Sequence, residues 1–96
     1  MGNLTFGDLV RQDNGQRFRI RDDVIVIGRN YDCDIRIEKP YVSGVHAVIC
    51  RENGHLVLED LGGKHGTRVN RIAVSRKVLS NGDRIHIGRA ELVFKT

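Results

Sequence analysis

Turn signals recur at short intervals along this sequence, and the stretches between them are rich in β-branched residues. The signals are pairs of Gly, Asn or Asp residues, namely Asn14-Gly15, Asp22-Asp23, Asn53-Gly54, Gly62-Gly63 and Asn81-Gly82. These residue types supply the backbone conformations that tight turns need. No stretch of a dozen residues keeps the 3.6-residue apolar period of a helix. The pattern therefore predicts an all-β sandwich of about 10 to 11 short strands, with essentially no helix.

Apolar patterning indicates how individual strands are buried. Residues 17–21 and 84–87 alternate charged or polar side chains with apolar ones, so each stretch should bury one face only. Residues 24–27 are apolar throughout and too few for a helix, which predicts a central strand buried on both faces. Residues 47–51 and 55–59 flank an Asn-Gly pair and should form a tight hairpin. Strands are also expected over residues 4–10 and 91–94.

Length and cysteine usage suit a single intracellular domain. The 96 residues leave room for one hydrophobic core, so we expect one domain over residues 1–96. No apolar run approaches the ~20 residues of a membrane-spanning helix, and the N-terminus lacks the features of a secretory signal. Cys33 and Cys50 lie far apart and form no CxxC pair, which indicates free thiols rather than a disulfide or a zinc site.

The net charge of the chain is positive. Sixteen Lys and Arg residues against twelve Asp and Glu residues give a formal charge of +4. Such a balance favours acidic partners, which include nucleic acid, an anionic surface and a phosphorylated peptide. The candidates for contact with nucleic acid are Arg17, Arg19, Arg21, Arg68, Arg71, Arg76 and Lys77. No aromatic residue is interleaved with them except Phe18, which the alternation assigns to the core, so nucleic acid is not the expected partner.

Three motifs that follow or precede the predicted strands carry a family resemblance. Gly28-Arg29 follows the apolar strand, residues 43–46 (Ser-Gly-Val-His) precede the hairpin, and residues 60–67 follow it, with Asn70 three residues further on. In order and spacing these motifs resemble the forkhead-associated (FHA) family, whose pattern is Gly-Arg, Ser-x-x-His, and a loop ending in Asn-Gly-Thr with a further Asn. The resemblance spans nearly the whole chain. It implies an FHA/SMAD-like β-sandwich that carries its ligand loops at one end and usually reads phosphothreonine without catalysis.

The resemblance also implies roles for individual residues. Arg29 and Ser43 would bind the phosphate, and a guanidinium and a hydroxyl are suitable charge-assisted donors to a dianion. The residues expected to face the phosphopeptide are Arg29, Ser43, Gly44, Lys64 and His65. The residues expected to hold the loops in shape are Gly28, His46, Gly66, Thr67 and Asn70. Of these, Gly28 is expected to permit a sharp turn and Gly66 a left-handed one.

The third motif departs from the family pattern at its centre. His65 stands where the family has an Asn whose amide clamps the ligand backbone. An imidazole carries its donor and acceptor on opposite edges of the ring, so the change should cost about 1 to 3 kcal/mol of binding. Gly63-Lys64 replaces a Ser-Thr pair, and the Lys64 ammonium could compensate by attracting phosphate. Binding should strengthen as the pH falls through about 6.5, where imidazoles gain charge.

A second function remains open beside phosphothreonine recognition. The FHA fold could have weakened or lost phosphopeptide binding and serve as a homodimerisation or scaffolding module, through an exposed sheet face or edge. The resemblance to N-terminal FHA domains of nuclear scaffolds suggests an adaptor in the DNA damage response, and hence a nuclear location. No enzyme activity is expected, because Ser43 and His46 share one loop without a nucleophile turn. No metal is expected either, because the Cys and His residues lack a recognisable ligand spacing, and no cofactor is expected.

Overall fold

The computed structural model of this chain describes residues 6–96. These residues form eleven β-strands and no helix, which confirms the predicted fold class. The strands are β1 (Gly7–Arg11), β2 (Arg17–Ile20), β3 (Val24–Gly28), β4 (Ile35–Arg36), β5 (Ala47–Glu52), β6 (His55–Asp60), β7 (Thr67–Val69), β8 (Ile72–Ala73), β9 (Arg76–Val78), β10 (Arg84–Ile87) and β11 (Ala90–Lys95). The first predicted strand, residues 4–10, begins outside the described residues. With no helix over residues 6–96, nothing in that range forms a membrane-spanning helix.

The strands form two sheets that pack face to face around one core. The order is β2-β1-β11-β10-β7-β8 in the six-stranded sheet and β4-β3-β5-β6-β9 in the five-stranded sheet. Both sheets contribute side chains to the core, which confirms the predicted sandwich. The large aliphatic side chains that are almost fully buried are Leu9, Ile20, Ile27, Ile37, Ile49, Leu58, Ile85, Ile87 and Leu92. Each such side chain stabilises the fold by about 1.5 to 3 kcal/mol.

The hairpin between β5 and β6 has the predicted geometry. Its register runs from Ala47 paired with Asp60 to Glu52 paired with His55, so only two residues form the turn. Asn53 and Gly54 have φ angles of 51° and 79°. Both values lie in the left-handed region that a two-residue hairpin of this kind requires, which explains the Asn-Gly pair. The predicted hairpin is confirmed, and each strand extends one residue further than predicted.

The prediction that β3 is central and buried on both faces is wrong. Val24 is 53% exposed and Val26 is only partly buried, whereas Ile25 and Ile27 face the core. β3 is the second strand of its sheet, and the edge strand β4 pairs with it at two positions only. Just before β4, the Asp34 carboxylate accepts a hydrogen bond from the Val26 amide at 2.8 Å and so covers part of the edge of β3 that β4 leaves open.

Three loops emerge together from one end of the five-stranded sheet. Ile27 at the end of β3 pairs with Ala47 at the start of β5, which in turn pairs with Asp60 at the end of β6. We call residues 29–34 the first loop, residues 37–46 the second loop and residues 61–66 the third loop. Because these strand ends are neighbours in the sheet, the three sequence motifs lie side by side.

Candidate functional site

Backbone hydrogen bonds join the first loop to the second. The Arg29 amide donates to the Ser43 carbonyl and the Asn30 amide to the Gly44 carbonyl, each at 3.0 Å. The backbone positions of Arg29 and Ser43 are therefore neighbours in space although they are 14 positions apart in sequence. A rigid connection of this kind restricts how far their side chains can move apart.

Gly28 allows this contact by its lack of a side chain. A Cβ atom at this position would lie 2.2 Å from the Gly44 carbonyl oxygen and 3.0 Å from the Cys33 sulfur. Gly28 belongs to β3 and is not among the residues with positive φ. The expected reason for this glycine, a sharp turn, is therefore wrong. The loop backbones approach too closely at this point for any other residue type.

His46 connects the second loop to the third from inside the fold. Its imidazole is fully buried, and its Nδ1 accepts a hydrogen bond from the Ser43 amide at 3.1 Å. The ring proton must then lie on Nε2, which donates to the Gly66 carbonyl at 2.8 Å. Both ring nitrogens are used, so the imidazole holds the two loops at a fixed separation and presents no free nitrogen to solvent.

The third loop contacts Ser43 directly. The Lys64 amide donates to the Ser43 Oγ at 3.0 Å. Because this hydroxyl already accepts a hydrogen bond, its own proton is available for an external acceptor. The neighbouring Gly66 has a φ of 77° and donates its amide to the Gly63 carbonyl at 2.9 Å. The loop is thus a tight turn that holds a Lys backbone against the Ser43 side chain.

Asp60 holds the base of the third loop, a role that the sequence interpretation missed. Its two carboxylate oxygens accept hydrogen bonds from the buried Thr67 hydroxyl at 2.7 Å and from the Gly62 amide at 3.0 Å. An Asp two residues before a Gly is a typical signal for such a side-chain turn. Thr67 lies at the opposite end of the loop, so one carboxylate closes it.

The charged side chains of these loops point to solvent. Arg29, Lys64 and His65 are all exposed, and within residues 6–96 none of them forms an ion pair with a carboxylate. Arg36 lies nearby, where its Nε donates to the Arg29 carbonyl at 3.1 Å and its guanidinium lies 4.7 Å from the Tyr31 ring centroid. Arg29 and Lys64 therefore present cationic donors that have no carboxylate partner at this end of the molecule.

Two residues predicted for the site have other contacts. The Gly44 carbonyl accepts from the Asn30 amide and from the Cys33 thiol at 3.3 Å, so it is used inside the fold. Asn70 lies at the far end of β7 from the third loop. Its side chain donates to Asp83 and accepts from the Arg84 amide, each at 3.0 Å. Asn70 thus clamps the turn between β7 and β8 onto the start of β10 and does not contact the third loop.

Comparison with known proteins decides the family. The sequence model of the FHA domain matches residues 25–88, which include all three loops. The chain belongs to the FHA family. FHA domains are non-catalytic protein-interaction modules.

Several relatives of this FHA domain are bacterial regulators. The chain is 40% identical over 82 residues to the glycogen accumulation regulator GarA of Mycobacterium tuberculosis, a match that covers 85% of this chain and 51% of GarA. It is 40% identical over 80 residues to the oxoglutarate dehydrogenase inhibitor of Corynebacterium jeikeium, covering 83% of this chain and 56% of the inhibitor. The chain thus spans about half the length of these curated relatives.

Solved FHA structures share the fold along nearly the whole chain. One, determined in a structural and functional analysis of phosphothreonine-dependent FHA domain interactions, has a TM-score of 0.89 and 30% identity, and covers 94% of this chain and 95% of its own. The FhaA FHA domain, solved in complex with the intracellular domain of another protein, has a TM-score of 0.88 and 30% identity, with coverages of 93% and 99%. These matches do not support the expected nuclear location or DNA damage role, because the named relatives are bacterial.

Proposed function

We propose that this FHA domain binds phosphothreonine-containing segments of a partner protein, with Arg29 and Ser43 as the phosphate ligands. The observation that carries the proposal is the 3.0 Å hydrogen bond between the Arg29 amide and the Ser43 carbonyl. It keeps a guanidinium-bearing residue and a hydroxyl-bearing residue adjacent on the exposed end of a rigid sandwich. A guanidinium and a hydroxyl together can donate several charge-assisted hydrogen bonds to one phosphate.

The contact between Ser43 and Lys64 supports a phosphate ligand. Since the Ser43 Oγ accepts from the Lys64 amide, the hydroxyl proton is free to donate to a phosphate oxygen. The Lys64 side chain extends from the residue whose amide contacts Ser43, and it is exposed. Its ammonium can therefore add Coulombic attraction for the phosphate. His46 is a positioning residue in this proposal, because it holds the Ser43 and Gly66 backbones without reaching the ligand.

The relatives support the same ligand class. A structure 30% identical to this chain comes from work on phosphothreonine-dependent FHA interactions. Curated relatives are named as a regulator and as an inhibitor of an enzyme. We infer that this domain has a regulatory role, which it performs by docking a phosphorylated partner.

Calorimetric titration tests the proposal. The titrants are a pool of phosphothreonine peptides of varied flanking sequence and the same pool with unphosphorylated threonine. We expect binding of the phosphorylated pool only, and a loss of roughly one to two decades of affinity in Arg29→Gln. Arg19→Gln, which removes an equal charge from β2 in the other sheet, should bind normally. Equal affinity of Arg29→Gln and the wild type would refute the proposal.

The altered third loop gives a separate pH test. His65 is exposed and lies next to Lys64, so its protonation would add positive charge beside the phosphate. Phosphopeptide affinity is measured for the wild type and for His65→Asn at about pH 6 and about pH 7.5. The phosphate itself gains a proton in this pH range, so the ratio of the two proteins' affinities is used to isolate the effect of the imidazole. The affinity of the wild type should rise relative to that of His65→Asn at the lower pH. An affinity ratio that stays constant would remove His65 from the ligand contacts.

Self-association is the second candidate function, and two exposed valines on one sheet face favour it. The outer face of the five-stranded sheet carries Val24, Cys50, Val57 and Val78, which are direct cross-strand neighbours. Val24 is 53% and Val78 43% exposed, whereas Val57 between them is buried. A twofold contact through this face would bury both. Sedimentation velocity over a hundredfold range of concentration tests it, with a concentration-independent monomer as the contradicting result.

A further inference from the structure

The outer face of the six-stranded sheet carries a surface depression of about 440 Å³ that is strongly basic. It is lined by Arg68, Arg71, His86, Gly88 and Arg89. Three guanidinium groups and an imidazole thus surround the space, and no carboxylate lies among the lining residues. We call it the arginine depression. Like charges at such short range repel each other, so an anionic ligand would stabilise this arrangement.

The arginines of the depression have no carboxylate partner within residues 6–96. Among residues 6–96, neither Arg68 nor Arg71 forms an ion pair. Glu91 lines an adjoining depression, where it pairs with Arg84 at 2.6 Å and lies 3.7 Å from the Nε2 atom of His86. The Nδ1 atom of His86, which is directly opposite Arg68 in the sheet, is buried without a hydrogen-bond partner. The guanidinium donors of Arg68 and Arg71 therefore lack carboxylate acceptors among the described residues.

The backbone at Arg71 adds a second observation. Asn70 and Arg71 form the two-residue turn between β7 and β8, with φ angles of 51° and 72°. A turn with two left-handed residues strongly favours Gly at its second position, and an Arg there costs about 1 kcal/mol or more. The chain thus carries a strained Arg at the rim of the arginine depression, where Gly would stabilise the fold. Strain that persists in this way points to a ligand contact.

The arginine depression adjoins the third loop. The Gly88 amide, on its rim, donates to the Gly66 carbonyl at 3.1 Å. The Arg89 guanidinium lies 5.9 Å from the ring centroid of Tyr41, a residue of the second loop. From the turn at Gly88, the chain runs back along β10 by two residues to His86 of the same depression, roughly 7 Å away. An extended segment bound at the loops could reach the arginine depression within three to six residues.

We propose that the arginine depression binds an acidic stretch of the same segment that carries the phosphothreonine. This inference rests on the proposed function, and it adds a preference for Asp and Glu residues on one side of the phosphorylated residue. Guanidinium forks match carboxylates in geometry and charge. Nucleic acid fits less well, because no aromatic side chain lines the space and bases would have no ring to stack on.

Peptide titrations test the preference. Three phosphothreonine peptides are compared: one with neutral flanks, one with four Glu residues placed three to six positions before the phosphothreonine, and one with them at the same distance after it. One acidic peptide should bind about tenfold more tightly than the neutral one, as two or three exposed ion pairs would give. The gain should shrink as salt rises from about 0.05 to about 0.5 M.

Matched variants assign the gain to this face. Arg68→Gln combined with Arg71→Gln should lose the gain but bind the neutral phosphopeptide normally, which also shows that the loops are folded. Arg19→Gln combined with Arg21→Gln removes the same charge on and just after β2, the strand at the opposite edge of the sheet, four strands from β7. This double variant should keep the gain in affinity for the acidic peptide.

The outcomes separate the two proposals. If the neutral phosphopeptide binds and neither acidic peptide gains, or if both double variants lose the gain equally, the arginine depression has no such role while the phosphothreonine proposal stands. If no phosphorylated peptide binds, both proposals fail. If a single-stranded oligonucleotide binds more tightly than the acidic peptide and only the Arg68 and Arg71 variant loses it, the ligand is nucleic acid and the inference is wrong.

Discussion

Gly28→Ala should separate the first and second loops while leaving the sandwich intact. The new methyl group would lie 2.2 Å from the Gly44 carbonyl oxygen, a backbone atom that cannot rotate away as a flexible side chain could. Ordinary contact needs about 3.4 Å or more, so the backbones must part by about 1 Å. The hydrogen bonds that join the Arg29 and Asn30 amides to the second loop, each 3.0 Å long, would stretch or break.

The expected cost can be assembled from these contacts. Two backbone hydrogen bonds contribute about 1 kcal/mol each. Forcing a methyl group into a filled space costs about 1 to 3 kcal/mol more. We therefore expect Gly28→Ala to lower the free energy of unfolding by about 3 to 5 kcal/mol. Since the neighbouring positions of Arg29 and Ser43 depend on the same bonds, phosphopeptide affinity should fall by tenfold or more in the fraction that stays folded.

Urea unfolding and calorimetric titration measure the two effects. Gly54→Ala is the matched control, because its methyl group would meet no atom within 4 Å and the strain comes only from a φ of 79°. Gly54 lies in the β5–β6 turn, at the opposite end of the sandwich from the loops. Its change should cost about 1 kcal/mol and leave binding unaltered. Equal destabilisation by the two substitutions, or normal binding by Gly28→Ala, would refute the idea that close approach at Gly28 joins the loops.

Two further predictions concern the far end of β7. Arg71→Gly should raise the free energy of unfolding by about 1 kcal/mol in urea, because it relieves a left-handed Arg; an unchanged or lower stability would contradict the strain. Asp83→Asn should lower it by about 1 to 2 kcal/mol at neutral pH, because the carboxylate accepts from the Ser80 amide and the Asn70 side chain. Burial would raise the pKa of Asp83, but these hydrogen bonds and the charge of Lys77 outweigh it, so its pKa lies below the ordinary value. A carboxyl whose pKa is lower in the folded than in the unfolded chain stabilises the fold at pH values above its unfolded pKa. The difference in the free energy of unfolding between the wild type and Asp83→Asn should therefore narrow as the pH falls below about 4. A constant difference from about pH 7 to about pH 3 would be the contrary result.

Local signals predicted the strands well where one rule decided the outcome. The Asn53-Gly54 hairpin and the alternation of residues 84–87 follow from turn chemistry and from the two faces of a strand, and both are confirmed. The burial of β3 was predicted wrongly because an apolar run reveals side-chain type but not neighbours. Val24 is exposed because it begins β3 and lies on the face of the sheet that is turned away from the core.

At the candidate site, too, local motifs predicted some features and missed others. The motifs predicted which residue types gather at the loops, because their order and spacing resemble a family pattern. They could not reveal that Gly28 serves close approach, since that depends on where the Gly44 carbonyl lies. The arginine depression was equally hidden, because Arg68, His86 and Arg89 come from separate strands or turns whose register is a tertiary property.

A double-mutant cycle on Arg29 and Ser43 tests the central claim most directly. Phosphothreonine peptide affinity is measured for the wild type, Arg29→Gln, Ser43→Ala and the double variant, with thermal unfolding to show that all four are folded. If both side chains bind one phosphate, the losses should be non-additive, with a coupling energy of about 1 kcal/mol or more. Additive losses within about 0.3 kcal/mol would mean that the two residues act on separate groups, and would contradict the account.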